Sequence, residues 1–154
     1  MEDQPLVVAE ETADTPELAA LHDARIAFNH DGYDPADCFT PPVADLDAPG
    51  MHFRVGRVAG RAVAMVALKE RGEGWGEVKA LYVDPAARGR GVAHAMMAAI
   101  EEAGREAGLD TLRLETGNLH EGALALYRRS GWAEIERFDP YPANETSIFF
   151  EKRL

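Results

Sequence analysis

Residues 77–96 read Glu77-Val-Lys-Ala-Leu-Tyr-Val-Asp84-Pro85-Ala-Ala-Arg88-Gly89-Arg90-Gly91-Val92-Ala93-His-Ala-Met96. Seven residues of strand character lead into an Asp-Pro turn, then two glycines, then the first turn of an apolar helical stripe. Gly89 and Gly91 remove side chains where backbone N–H groups can approach a ligand. The helix behind them presents its own unbonded N–H groups and positive dipole end to the same spot. Arg88 and Arg90 add two fixed cations there. The segment reads as a strand, an anion cradle and a helix, suited to a pyrophosphate.

Downstream, Val92, Met96, Ile100 and Ala103 give a helix over 91–107, with Glu101, Glu102, Arg105 and Glu106 on the solvent face and Gly108 ending it. Thr111–Glu115 alternates as a short strand. Gly122–Ser130 is predicted helical and closed by Gly131, and Trp132–Phe138 and Ser147–Lys152 are two further strands. The succession 76–83, helix, 111–115 is a β-α-β crossover and predicts a parallel pair.

Upstream, Met51–Val58 and Arg61–Lys69 flank the Ala59-Gly60 turn, and Arg71–Gly74 separates the second from Gly76–Val83, an antiparallel meander. Residues 30–50 are rich in Asp and Pro and read as loop with at most one short helix. Before them, Pro16–Phe28 carries Leu18, Leu21 and Ile26 at helical spacing, with Thr15 as N-cap and Pro16 at the first helical position. The predicted fold class is α+β, a mixed sheet covered by helices.

At 154 residues, 46% hydrophobic and 28% charged, the chain suits one soluble domain over 1–154. The net charge of −11 is unevenly placed: twelve acidic residues and only Arg25 among the basic ones fall in 1–47. With a sequence pI near 4.8 and no basic run, nucleic-acid binding is excluded as an expectation. The longest uncharged apolar run, 92–100, is far short of the ~20 residues of a membrane helix. The acidic N-terminus lacks a secretory h-region, so a cytoplasmic protein is expected. Cys38 is the only cysteine, and the five histidines lack metal-ligand spacing, so neither a disulfide nor a metal site is expected.

Walker and dinucleotide fingerprints fail, for want of Gly-Lys-Ser/Thr and of a third glycine near Ala95. Arg88-Gly-Arg-Gly91-Val-Ala93 instead resembles the Arg/Gln-x-x-Gly-x-Gly/Ala signature of the GNAT N-acetyltransferase superfamily, with Ala93 an allowed departure. Leu112–Glu115 resembles that superfamily's next strand, Asn118 follows it, and Tyr127-Arg-Arg-Ser-Gly131-Trp132 resembles its Tyr-x-x-x-Gly-Phe/Trp segment. The likeness is specific over 77–132 and extends over 51–152, within a bacterial branch acting on small molecules.

The resemblance implies a GNAT-type fold whose parallel pair splays at Leu81-Tyr82, with acetyl-CoA bound by Leu81, Tyr82, Val83, Arg88, Gly89, Arg90, Gly91, Val92, Ala93, Asn118 and Tyr127. Arg128 and Arg129 lie in the same charge-balanced half. Tyr127 is implied as general acid for the departing thiolate, and Glu77 as the group that accepts the amine proton, directly or through water. For Glu77 a solvated or cross-strand pair with Lys79 stands as the alternative, and for Tyr127 an ordinary core aromatic.

His120 is either an exposed histidine or a side chain reaching the site, and Phe138–Tyr141 is a candidate acceptor wall. Cys38, Trp75 and the Met96-Met97 pair read as structural. The implied reaction is acetyl transfer to a primary amine of a small molecule. A silent acetyl-CoA sensor and a protein lysine or N-terminal acetyltransferase are the rivals. The acidic N-terminal third, with Asp31, Asp34 and Asp37, suggests either field steering of a cationic acceptor or a solubilising face. A homodimer is implied by resemblance. The run Ile148-Phe-Phe150 is either a dimer contact or a central strand.

Overall fold

The computed structural model describes residues 4–34, 39 and 42–154. Cys38 and Asp37 lie outside the described residues. The elements in order are β1 (Leu6–Glu10), α1 (Pro16–His30), a 3-10 turn (Val43–Asp47), β2 (Met51–Val58), β3 (Arg61–Gly72) and β4 (Trp75–Val83). A second 3-10 turn (Pro85–Ala87) precedes α2 (Val92–Glu106), β5 (Thr111–Gly117), α3 (Glu121–Arg129), β6 (Ala133–Ile135) and β7 (Ser147–Arg153).

The seven strands form one sheet in the order β1-β2-β3-β4-β5-β7-β6. All neighbours are antiparallel except β4 and β5, the parallel pair expected from the crossover. Ala59 and Gly60 both adopt positive φ, the two-residue geometry that matches strand twist in the β2–β3 hairpin.

Ala62 to Leu68 are all buried, because β3 is central and covered on both faces. On one face, α2 and α3 pack Val92, Met96, Ile100, Leu124 and Tyr127 against Val66, Leu68, Leu112 and Phe150. On the other, α1 and the first 3-10 turn place Leu18, Leu21 and Leu46 on Phe53, Val55, Ala80 and Tyr82.

Four features differ from the sequence reading. β1 was missed: its five residues pair with Arg54–Val58 as an edge strand. The buried stripe of α1 is Leu18, Leu21, His22 and Arg25, so the turn that sequence spacing gave to Ile26 belongs to Arg25. Glu101, expected on the solvent face, is buried and accepts an ion pair from Lys152 at 2.9 Å. The strand expected over 132–138 shortens to three residues, after which the chain turns through Phe138–Tyr141. Of the two readings of Ile148–Phe150, the strand within the sheet is the one observed: β7 lies between β5 and β6 with Phe149 and Phe150 buried.

Candidate active site

β4 follows β3 along its length, but pairs with β5 only through Trp75–Glu77 against Thr111–Arg113. β5 then stays with β7 to Gly117, so a wedge opens from Val78 onward, three residues before the expected splay at Leu81. A bulge aims it: Ala67 pairs with Lys79 and Met65 with Tyr82, leaving two residues of β4 opposite one of β3. Ala80, in that gap, takes a left-handed φ of 59°. The wedge is a cavity of about 650 Å³. Past Glu77 the edge of β4 has no β5 partner, which leaves backbone groups for a ligand.

One end is the glycine loop. Asp84 Oδ1 accepts from Ala86 N–H at 2.9 Å and starts the 3-10 turn, and Arg88 Nε donates to Val83 O at 3.0 Å and closes it. The Arg88 guanidinium lies over the rings of Phe28, at 4.8 Å, and Tyr82, at 5.6 Å. Gly89 and Gly91 have φ of 81° and 76°, with open space around a notional Cβ, so backbone conformation demands glycine here. No side chain caps α2, whose first N–H groups are therefore left to an anion.

Arg25, His120, Glu115, Tyr127, Tyr141 and Lys79 also share the cavity wall. Tyr127 is buried between Trp132 and Phe150, and burial raises its pKa above the usual tyrosine range. Glu115 accepts from Ser147 Oγ at 2.5 Å, and desolvation raises its pKa. His120 is half-buried, stacked on Phe28 with centroids 5.1 Å apart and tilted against Tyr33, so it is no surface histidine. Burial, with Arg25 adding to it, lowers its pKa. The Tyr33 hydroxyl accepts from Leu119 N–H at 2.5 Å and occupies the space a side chain on Gly117 would need. Thus the last turns of α1, with Tyr33 just beyond them, roof the wedge.

Glu77 is 0% exposed and does not line the cavity. Arg71 Nη1 donates to its Oε1 at 2.6 Å and Lys79 Nζ to its Oε2 at 3.2 Å, while the Tyr141 hydroxyl donates to the same oxygen. Lys79 Nζ also donates to Tyr141 Oη at 2.9 Å. Tyr141 and Lys79 reach the cavity, so Glu77 faces it through them.

Of the other expected residues, Leu81, Tyr82, Val83, Arg88, Gly89, Gly91, Val92, Ala93, Tyr127 and Arg129 line the cavity. Arg90 and Asn118 are exposed and off its wall, and Arg128 sits 3.7 Å from Glu134. Asn118 N–H donates to Thr146 O at 2.8 Å, and α3 is N-capped at His120 without a side-chain bond. Arg25 and Glu115 were missed. The signal for Arg25 was its place on the 18-21-22-25 face, and for Glu115 its alternation with Arg113 in β5.

The sequence profile of the Acetyltransferase (GNAT) family matches residues 16–132. An IAA acetyltransferase of Azospirillum brasilense is 40% identical over 110 residues, covering 71% of this chain and 72% of that protein. A Klebsiella pneumoniae structure assigned as an acyl-CoA N-acyltransferase is 32% identical with a TM-score of 0.83, covering 97% of each chain. A GNAT family acetyltransferase from Elizabethkingia anophelis with acetyl-CoA bound shares the fold, at 16% identity and a TM-score of 0.72, covering 97% of this chain and 98% of that one.

Proposed function

The chain belongs to the acetyltransferase (GNAT) family, and from there we propose that it moves an acetyl group from acetyl-CoA to a primary amine of a small molecule within one ternary complex. One observation carries the reading: a single wedge holds the anion loop Arg88–Ala93 together with Tyr127, Glu115 and Tyr141. A volume of about 650 Å³ is in the range of small-ligand sites. The acetyl-CoA seen in the Elizabethkingia structure supports the same co-substrate here.

In this reading the uncapped start of α2 and the loop N–H groups hold the pyrophosphate, with Arg88 beside it. The free edge of β4 at Leu81–Val83 aligns the pantetheine arm and polarises the thioester carbonyl. The amine nitrogen attacks that carbonyl, forming the C–N bond and breaking C–S. Tyr127, kept protonated by burial, gives its proton to the departing sulfur. The amine proton leaves through the Tyr141 hydroxyl toward Glu77, the arrangement that lets a buried carboxylate act from behind the wall. Glu115 stands in the cavity itself and attracts the incoming ammonium form.

The test is thiol release from acetyl-CoA by the pure protein with a panel of amines, with the acetylated product identified by mass spectrometry. Release that depends on a small amine is expected. Binding of acetyl-CoA with no turnover on any amine would make the chain a coenzyme sensor, and acetylation confined to proteins or peptides would make it a protein acetyltransferase.

A further inference from the structure

Arg25 is the one basic residue of the acidic N-terminal third, and it is 8% exposed. The α1 face that buries Leu18 and Leu21 carries it to the cavity wall, where its Nη1 has no hydrogen-bond partner among the described residues. A buried guanidinium nitrogen left without a hydrogen-bond partner is costly, and an anionic group of a ligand in the cavity would supply one. Desolvation lowers its pKa to about 10, which leaves it charged at neutral pH.

Arg25 interacts electrostatically with Tyr127, Tyr141 and Glu115, which line the reacting part of the wedge, and also with His120, which stacks on Phe28. Glu115 accepts from Ser147 and forms no ion pair with Arg25 among the described residues, so the cavity wall carries a buried cation and, apart from it, a half-buried carboxylate. That pair is complementary to a molecule carrying the opposite pair, an amine and a carboxylate.

None of the acidic residues in the described part of 1–47 lines the cavity. Glu11 and Glu17 clamp Arg57 at 2.7 and 2.8 Å, and Asp47 accepts from the backbone of Ala13 at 2.7 Å and Asp14 at 3.0 Å. Among the described residues the Lys, Arg and Glu side chains on the cavity wall are Arg25, Lys79, Arg88, Glu115, Glu121 and Arg129, so the acidic residues of 1–47 contribute none of its charge.

We propose that Arg25 is a specificity-determining residue that binds a carboxylate of the acceptor through its guanidinium fork, making the acceptor an amino-acid-like zwitterion. The inference rests on the acetyl-transfer reading. The fork suits two parallel bonds to a carboxylate, while Glu115 faces the acceptor's ammonium group until the nitrogen is deprotonated.

The experiment compares free amino acids, the matching amino-acid amides and simple alkylamines as acceptors for the wild type, Arg25→Lys, Arg25→Gln and Arg25→Met. In the wild type, kcat/KM for an acid is expected to exceed that for its amide by about tenfold or more, mostly through KM, as for a charge-assisted hydrogen bond. In Arg25→Gln and Arg25→Met the ratio falls toward one, and Arg25→Lys, which keeps the charge without the fork, retains an intermediate ratio.

Thermal unfolding separates this from misfolding. Arg25→Met loses an unpaired buried charge and is expected to melt no lower than the wild type. At one fixed concentration, a carboxylate acceptor raises the melting temperature of the wild type more than that of Arg25→Gln or Arg25→Met. Equal use of acid and amide by the wild type, or an intact preference in Arg25→Met, overturns the inference while amine acetylation stands. A weakened acetyl-CoA Kd in Arg25→Met with the acceptor preference intact also overturns it, by assigning Arg25 to the coenzyme. No thiol release with any amine overturns acetyl transfer itself.

Discussion

Arg71 Nη1 donates to Glu77 Oε1 at 2.6 Å, and this ion pair stands where β4 leaves β5, with Glu77 fully buried and Lys79 on its other oxygen. Two cations and the Tyr141 hydroxyl thus converge on one carboxylate at the apex of the wedge. Removing it leaves two cations in a desolvated place. Glu77→Ala is expected to lose about 3–5 kcal/mol of stability, and Glu77→Gln, which keeps the shape, distinctly less. Urea unfolding of the two variants checks this. Equal, small losses in both would mean that the charge has no structural role.

For Tyr127 the expected outcome is kinetic. Tyr127→Phe keeps the ring against Trp132 and Phe150 and loses only the hydroxyl. The kcat is expected to fall by about 10²–10⁴, as for loss of a general acid, with KM for acetyl-CoA little changed. Because burial holds the Tyr127 pKa above the ordinary tyrosine range, the wild-type profile should show no tyrosine limb below that range. A KM effect without a kcat effect would make Tyr127 a binding wall.

Arg88 and Arg90 are two residues apart and differ in place. Arg88 lines the cavity, bonds Val83 O and stacks on Phe28 and Tyr82, whereas Arg90 is exposed and off its wall. Arg88→Ala is expected to raise the acetyl-CoA Kd by about tenfold or more, and Arg90→Ala by less than about threefold: both side chains are exposed, but Arg88 alone of the two stands on the cavity wall. Titration calorimetry with acetyl-CoA measures both, and equal effects would contradict the assigned geometry.

The Glu115 carboxyl supplies a pH test. Burial raises its folded pKa above the unfolded value, so the native state holds the proton in the window between the two. Stability should therefore fall as pH rises from the ordinary carboxylate value of 4.5 through the raised one, and be constant beyond it in this respect. Glu115→Gln should remove that slope. Urea unfolding of both proteins across the acid range compares them, and identical slopes would mean that the side chain is solvated.

Ala80 adopts the left-handed φ of 59° and is buried against the α1 layer. Ala80→Gly relieves the conformational penalty of about 1 kcal/mol and is expected to be neutral or slightly stabilising. Ala80→Val adds a branched side chain in a conformation it resists and overfills the core, for an expected loss of about 2–4 kcal/mol. Denaturant midpoints decide the order, and a stable Ala80→Val protein would mean that the bulge is not rigid.

The cradle at Gly89 and Gly91 was legible because its chemistry is local: positive φ, an Asp-Pro turn and an apolar stripe lie within twenty consecutive residues. The meander and the crossover were legible through period-2 and period-3.6 spacing. What escaped depended on distant partners. β1 is a short edge strand in acidic company, and only its pairing with β2 makes it one. Arg25 and Ile26 are adjacent, and sequence favours the apolar one, yet helix spacing from Leu18 and Leu21 turns Arg25 inward. Glu77 gave its position without its burial, because Arg71 and Tyr141 come from elsewhere in the chain. The strand expected to reach Phe138 ends at Ile135, and the turn that follows, through Asp139-Pro140, brings Tyr141 to the wedge.

In the proposed reaction coenzyme and acceptor meet in the wedge between β4 and β5, so the most direct test is the initial-velocity pattern with acetyl-CoA and an active amine varied against each other. Lines that intersect in double-reciprocal form are expected, with no acetyl group left on the protein when acetyl-CoA is supplied alone. Parallel lines, or a labelled acetyl group retained on the protein without amine, would contradict direct transfer inside a ternary complex.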